Sequence, residues 1–350
     1  QLTLSGAITG AMRLEKVGAG TVILGNVNND YRGGTTISAG TLRTNVASAL
    51  PDDGAVTVGT SGTLSLVNGT QSSNQSIGTL TGGGTVTLGS ATLTVRDGDF
   101  GGHIGGVTGR LSKTSGGTLI LSNSNTYAGG TTIESGKLTA ANAKALGDGS
   151  VTIKAGGTLE IANTALALGS LTKKITIEDD TAGSTGGTLS GTVGKSASYS
   201  GALELLRRSP GVGGRTNVNA DSGAALTLNG VITGGGGLTK VGAGTVVLGN
   251  AANDYSGGTT ISAGELRTIK ASVLPDDRAV SVGTSGTLSL VTGTQSSNQS
   301  IGTLTGDGTV TLGSATLTVR DGDFGGHIVG GTGRLSKTSS GTLILSNANT

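Results

Sequence analysis

Apolar residues alternate with Thr, Ser and charged residues in short bursts along almost the whole chain. A phrase Gly-Thr-apolar-x-apolar starts at Gly20, Gly62, Gly84, Gly117 and Gly157, and again at Gly244, Gly286, Gly308 and Gly341. Alternation of period 2 that opens on a glycine predicts a short strand entered through a turn. In Gly84-Thr-Val-Thr-Leu-Gly-Ser-Ala-Thr-Leu-Thr-Val95 a second strand follows at once, with Gly89-Ser90 as the corner. Most gaps between successive phrases are near multiples of one interval, that from Gly62 to Gly84. The gap from Gly84 to Gly117 is not, and it implies an insertion or an irregular turn.

Two longer periods lie above the phrase, and internal repeats govern the fold of such a chain. Residues 1–126 recur as 225–350 at a constant offset of 224, with 103 of 126 positions identical. Gln71–Leu80 returns letter for letter at 295–304, and Ala91–Phe100 at 315–324. Inside this long unit Lys16–Leu24, Asn29-Asp-Tyr31, Gly33-Gly-Thr-Thr-Ile37 and Ala39-Gly-Thr-Leu42 form a shorter unit. It returns at Lys113 and Lys240, and a fourth copy opens at Lys337.

An antiparallel meander needs hairpin turns such as Asn-Gly or Asp-Gly, which are sparse here. A coil of two or three short strands stacks each strand on its equivalent one turn later, which explains why like residues recur at like positions. The expected fold is therefore all-β, a parallel β-helix of about 20–22 residues per coil, with strands roughly 4.8 Å apart. It is expected to form one continuous array over 1–350, with a long unit at 1–224 and a truncated second copy at 225–350. The first residues align with Leu226–Gly234 in mid-repeat, and the last stop where the earlier copy runs on into Tyr127. Stacking is expected to continue beyond both ends, with any targeting segment outside the sequence. Residues 195–220 break the texture: Gly201–Gly211 holds good helix formers before Pro210 and reads as a loop or short helical excursion.

Composition narrows the function. The chain has 350 residues, 68 of them Gly, with no Cys, no Trp and six other aromatics, so Val, Leu, Ile, Thr and Ala must fill the core. Gly richness without alternation would mean disorder; alternation here answers that. The net charge of +2 is scattered, with no basic stripe for nucleic acid, and no apolar run reaches the roughly 18 residues of a membrane span. Absence of Cys fits stability by stacking and suits a chain that crosses a membrane unfolded.

Candidate chemistry is thin. His103 and His327 are equivalents 224 apart, and a duplicated histidine along a rod argues against a unique catalytic or metal centre. Asp97-Gly-Asp99 and Asp321-Gly-Asp323 resemble fragments of calcium-binding repeats but fall short of the 6–8 oxygen ligands calcium prefers, so they read as turns. Pro51-Asp-Asp53 and Pro275-Asp-Asp277 read as loop punctuation. Ser61, Ser115 and Ser285 sit near glycines without the strand–turn–helix setting of a nucleophile elbow. Arg207 and Arg208 mark either a contact surface or a solvated insertion. Tyr31, Tyr127 and Tyr255 share one repeat position, where they either line a sparse binding row or cover one end of the strand stack. No catalytic, cofactor-binding or metal residue is assigned, and no cofactor is expected.

Gly237-Leu-Thr-Lys-Val-Gly-Ala-Gly-Thr-Val-Val-Leu248, Asn253-Asp-Tyr255, Gly257-Gly-Thr-Thr-Ile261 and Gly264-Glu-Leu266 together resemble the passenger-associated repeat of bacterial autotransporters. The copies at Lys16 and Lys113 match nearly as well, and with the flanking strands the resemblance covers most of the chain except about 195–220. It implies a right-handed β-helix exported across the outer membrane of a Gram-negative bacterium, extracellular or on the cell surface. The family's repeat is structural, so no functional residue is carried over. The function expected is a structural or adhesive surface-fibre segment without catalysis. The alternatives are a glycan-acting enzyme, which would need paired carboxylates in a groove, and a specific adhesin. Expected partners are further copies of the same array, with surface glycans or neighbouring cells as other candidates.

Overall fold

The computed structural model describes residues 1–162, 173–179, 186–192, 194–207 and 215–350. Among these every regular element is a strand. The chain divides into two units, residues 1–152 with 157–160 and residues 153–156 with 161–350. Each is a stack of parallel strands, a β-solenoid.

In the first unit the stacking runs in columns. One passes through Leu2, Val22, Leu42, Leu64, Val86 and Ile104. A second passes through Leu14, Thr35, Val56, Leu80, Gly98, Leu119 and Leu138. A third, formed later in the chain, passes through Gln75, Leu93, Leu111 and Thr131. The cause is local: a strand such as Val56-Thr-Val58 turns its branched residues inward and Thr57 outward. A one-residue slip in register would exchange the two faces.

Coil length is not constant. The step from Val86 to Ile104 is short, and that from Val56 to Leu80 is long. The longer coil carries an antiparallel hairpin, Val67–Asn68 with Gln71–Ser72, which turns through Gly69 at φ 61°. The irregular spacing from Gly84 to Gly117 is neither an insertion nor an irregular turn. The phrases at Gly20, Gly62 and Gly84 contribute to the first column, whereas that at Gly117 places Leu119 in the second. The repeat steps round by one face between copies.

The second unit repeats the pattern. Leu226, Val246, Leu266, Leu288, Val310 and Ile328 form one column, and Val218, Lys240, Ile261 and Val282 another. The helical excursion expected within 195–220 does not form in its described part. Ser196–Tyr199, Leu203–Leu206 and Arg215–Ala220 are strands, and Leu203 pairs with Ile175 and Ile232. Leu203 and Leu205 are buried while Glu204 between them is not, so period-2 burial overrides helix propensity. Residues 208–214, with Arg208 and Pro210, lie outside the described residues.

All six aromatic side chains of the chain, Tyr31, Tyr127, Tyr199, Tyr255, Phe100 and Phe324, are buried to within 1%. Among the described residues the rest of the apolar core is Leu, Ile, Val and Ala.

Candidate functional site

The repeated corner residues hold coils to one another. Asn29 Oδ1 accepts from the Ile8 amide at 2.8 Å, and its Nδ2 donates to the Ala49 carbonyl at 2.7 Å. The first partner lies one coil earlier and the second one coil later. Asn125 makes the same pair with Ile104 and Ala145, and Asn253 with Ile232 at 2.8 Å and Val273 at 2.9 Å. Asn253→Ala would orphan the buried Ile232 amide and the Val273 carbonyl, so it should lower stability by about 1–3 kcal/mol in urea unfolding. Asn253→Asp, which keeps the acceptor, should cost less below the carboxylate's titration range than above it.

Tyr31, Tyr127 and Tyr255 are core residues and not a binding row. Each hydroxyl shares a 2.7 Å hydrogen bond with a threonine four residues on, Thr35, Thr131 or Thr259. Burial pushes all three phenols above their ordinary range.

The lysine that opens each of the first three repeats is a buried cation in a cage of carbonyls. Lys240 Nζ donates to Val241 O at 2.8 Å, Gly242 O at 2.8 Å and, from the next coil, Ala263 O at 3.0 Å. Lys113 does the same with Thr114, Ser115 and Ser135, and Lys16 with Val17, Gly18 and Ala39. Burial pulls the Lys240 ammonium down to about 8, opposed by Glu265 and Asp221. It also lowers Lys113, opposed by Asp97. The glycine that follows in the repeat closes the cage. At Gly40 (φ 68°) and Gly264 (φ 67°) a Cβ would strike the carbonyls of Gly18 and Gly20, or of Gly242 and Gly244. In the sequence Lys-x-Gly and Ala-Gly stood only as letters of a repeat; the signal of their role was a recurring cation inside an apolar strand column.

The other candidates serve the same stacking. His103 Nδ1 donates to Ser124 O at 2.8 Å and its Nε2 accepts from Thr126 Oγ1 at 3.1 Å. His327 is tied likewise to Ala348 O and Asn347 Nδ2. Asp97 and Asp99 flank Gly98 inside a strand, paired with Thr79 and Thr81, so the expected turn is a glycine bend within a ladder. Asp53 (φ 65°) binds Arg96 at 2.8 Å, and Asp277 binds Arg320. Ser61 and Ser285 pair in strands with Ala39 and Ala263, and Ser115 Oγ donates to Arg96 O at 3.2 Å. Arg207 is exposed and directly follows the strand Leu203–Leu206. Among the described residues no three His, Asp or Glu side chains gather as metal ligands, and no helix is long and apolar enough to cross a membrane.

Surface relief lies at the corner loops. A cleft of about 640 Å³ runs along residues 27–32, Ser48 and residues 50–54. The hairpin overhangs a second groove of about 340 Å³ between residues 44–47 and 71–74. Its equivalent, between residues 268–271 and 295–298 beside the hairpin Val291–Thr292 with Gln295–Ser296, has about 160 Å³.

The passenger-associated-transport-repeat family model matches residues 14–43, 111–140, 238–267 and 335–350. The first three spans each contain the caged lysine, the stapling asparagine, the buried tyrosine and the closing glycine. The chain is similar to "Adhesin BmaC autotransporter" of Brucella suis biovar 1 (strain 1330), 33% identical over 436 residues. That alignment covers 98% of this chain and 12% of the Brucella protein, so the chain spans about an eighth of its relative's length. No solved structure matches it. The chain therefore carries four matches to the passenger-associated transport repeat in stacked parallel strands whose contacts use the repeat's own residues, and it is similar along nearly all its length to part of an autotransporter adhesin.

Proposed function

We propose that this chain is a structural and adhesive segment of a surface-exposed autotransporter passenger, extracellular on a Gram-negative bacterium. The observation that carries the reading is where the repeat spends its chemistry. Its Lys and Asn bond coil to coil, its Gly fits against carbonyls of the preceding coil and its Tyr fills the core, which is what a scaffold requires. Grooves and a projecting hairpin remain on the surface for contact with another body. The Brucella relative is an adhesin by name, which supports the adhesive half of the reading. Turnover forms no part of it: the side chains of His103, His327, Ser115, Asp53 and Asp277 tie coil to coil, and Ser61, Ser285, Asp97 and Asp99 lie apart in strand ladders, so they make no convergent catalytic group.

The test is to display the chain on a non-adherent Gram-negative strain through a carrier barrel and count bacteria retained on host cells and extracellular matrix. Retention above a carrier displaying an unrelated solenoid is expected. Equal retention would remove the adhesive role, and reproducible hydrolysis of a polysaccharide, ester or peptide by the purified chain would replace the reading with an enzymatic one.

A further inference from the structure

We propose that the groove beside the projecting hairpin is a saccharide subsite, present once in each unit, and that the second copy selects acidic sugars through Lys270. The proposal deepens the adhesive reading by naming the chemistry of the ligand.

Comparison of the two copies shows where the surface was altered. Of the 23 positions that differ between 1–126 and 225–350, 21 are not buried in the first copy; Ile23 and Ala49 are the buried ones. Three of the nine residues lining the groove differ, against 20 of the other 117 positions, so the groove has changed about twice as often. The changes are one-sided. The wall Gln71-Ser-Ser-Asn74 is identical to Gln295-Ser-Ser-Asn298. The opposite wall changes from Asn45-Val46 to Ile269-Lys270, and the hairpin residue Asn68 becomes Thr292. Asn68 Nδ2 donates to Asn45 Oδ1, so two of the three altered residues are bonded partners that changed together.

The constant wall is held from below. Thr44 and Ser73 share a buried hydroxyl hydrogen bond of 2.6 Å, and Gln75 Nε2 donates to Val46 O at 2.8 Å. The second copy has the same pair in Thr268 and Ser297, and Gln299 donates to Lys270 O at 2.8 Å. A groove whose floor is fixed while its rim is exchanged is built to receive ligands of one kind with varied detail.

The lining decides which kind. Exposed amides at Gln71 and Asn74, with Ser72 between them, offer both donors and acceptors, as a polyhydroxylated ring requires. Trp, Tyr, Arg and Met, which anchor protein partners, are absent from the lining. In the second groove the exposed ammonium of Lys270 replaces Val46 and supplies the charge that would select a carboxylated sugar.

Isothermal titration of the 350-residue chain with a neutral N-acetylglucosamine trisaccharide and with a hyaluronan tetrasaccharide, which adds uronate carboxylates, tests the proposal. The acidic probe should bind with one dominant site. Lys270→Gln should weaken that site by about tenfold, with an unchanged melting temperature because the side chain is exposed. Val46→Lys should create a second acidic site in the first groove. The neutral probe should bind both grooves and lose the first on Gln71→Ala. Binding of neither probe at about 10 mM, or acidic-probe binding indifferent to both lysine changes, would overturn it. Displaying cells that adhere while neither probe binds would refute the subsite and leave the adhesive role. Probe binding without adhesion would do the reverse.

Discussion

Leu288→Ala is expected to destabilise the chain by about 2–5 kcal/mol, measured as the loss in urea unfolding free energy. Leu288 is fully buried between Leu266 of the preceding coil and Val310 of the following one. Removing three carbons from a column leaves a void that both neighbouring coils face. Neither can close it without shifting a ladder whose register is fixed by backbone hydrogen bonds on both sides. The cost should therefore sit toward the upper half of the range. Thr287, beside it and facing outward, gives the control: Thr287→Ala should change stability by no more than about 0.5 kcal/mol. If Leu288→Ala were silent, stability would not reside in the interior columns.

Lys240→Met should cost about 3 kcal/mol, although it replaces a charged residue by an apolar one of similar length in a buried column. Hydrogen bonds to a charged group contribute about 1.5–3 kcal/mol each. Three are lost here, offset in part because the turn carbonyls of Val241, Gly242 and Ala263 are only half-buried and can reach water. The pH dependence has a definite sign. Burial holds the folded ammonium at about 8, below its ordinary 10.5, so between these values the unfolded chain binds more protons. Stability contributed by this residue therefore rises with pH across that window. The gap between wild type and Lys240→Met should widen from pH 8 to about 10.5. A gap that narrowed instead would mean that the carbonyl cage favours the charged form more than burial penalises it.

Much of this could be read from the letters. Period-2 alternation in Val56-Thr-Val58 or Gly84-Thr-Val-Thr-Leu88 fixes which residues face inward, and recurrence of the phrase at a near-regular interval leaves a parallel stack as the way to bury them all. The corner at Gly89-Ser90 formed where it was expected, with Gly89 at φ 61°. Leu203–Leu206 was misread because its residues favour a helix in isolation, while burial of Leu203 and Leu205 in neighbouring columns decides the outcome. Asp97-Gly-Asp99 was misread for a related reason: a turn-forming sequence was held straight by ladder partners on an adjacent coil.

The sequence by itself determined the strand period, the repeat and the identity of the core, because side-chain alternation and recurrence are properties of the chain read along one dimension. Only the tertiary structure decided what lies one coil away. It brought Ala263 O to Lys240 and Val273 O to Asn253, and it turned the tyrosine row inward onto Thr259 and its equivalents. It also moved the phrase at Gly117 onto a different face from that at Gly84. The Lys and Asn partners stand one coil away at a near-constant spacing and the Tyr partner four residues on, but coil length changes elsewhere along the stack, short from Val86 to Ile104 and long from Val56 to Leu80, so spacing alone does not say which atoms meet. They are set by where hydrogen-bonded register places each strand on its neighbour.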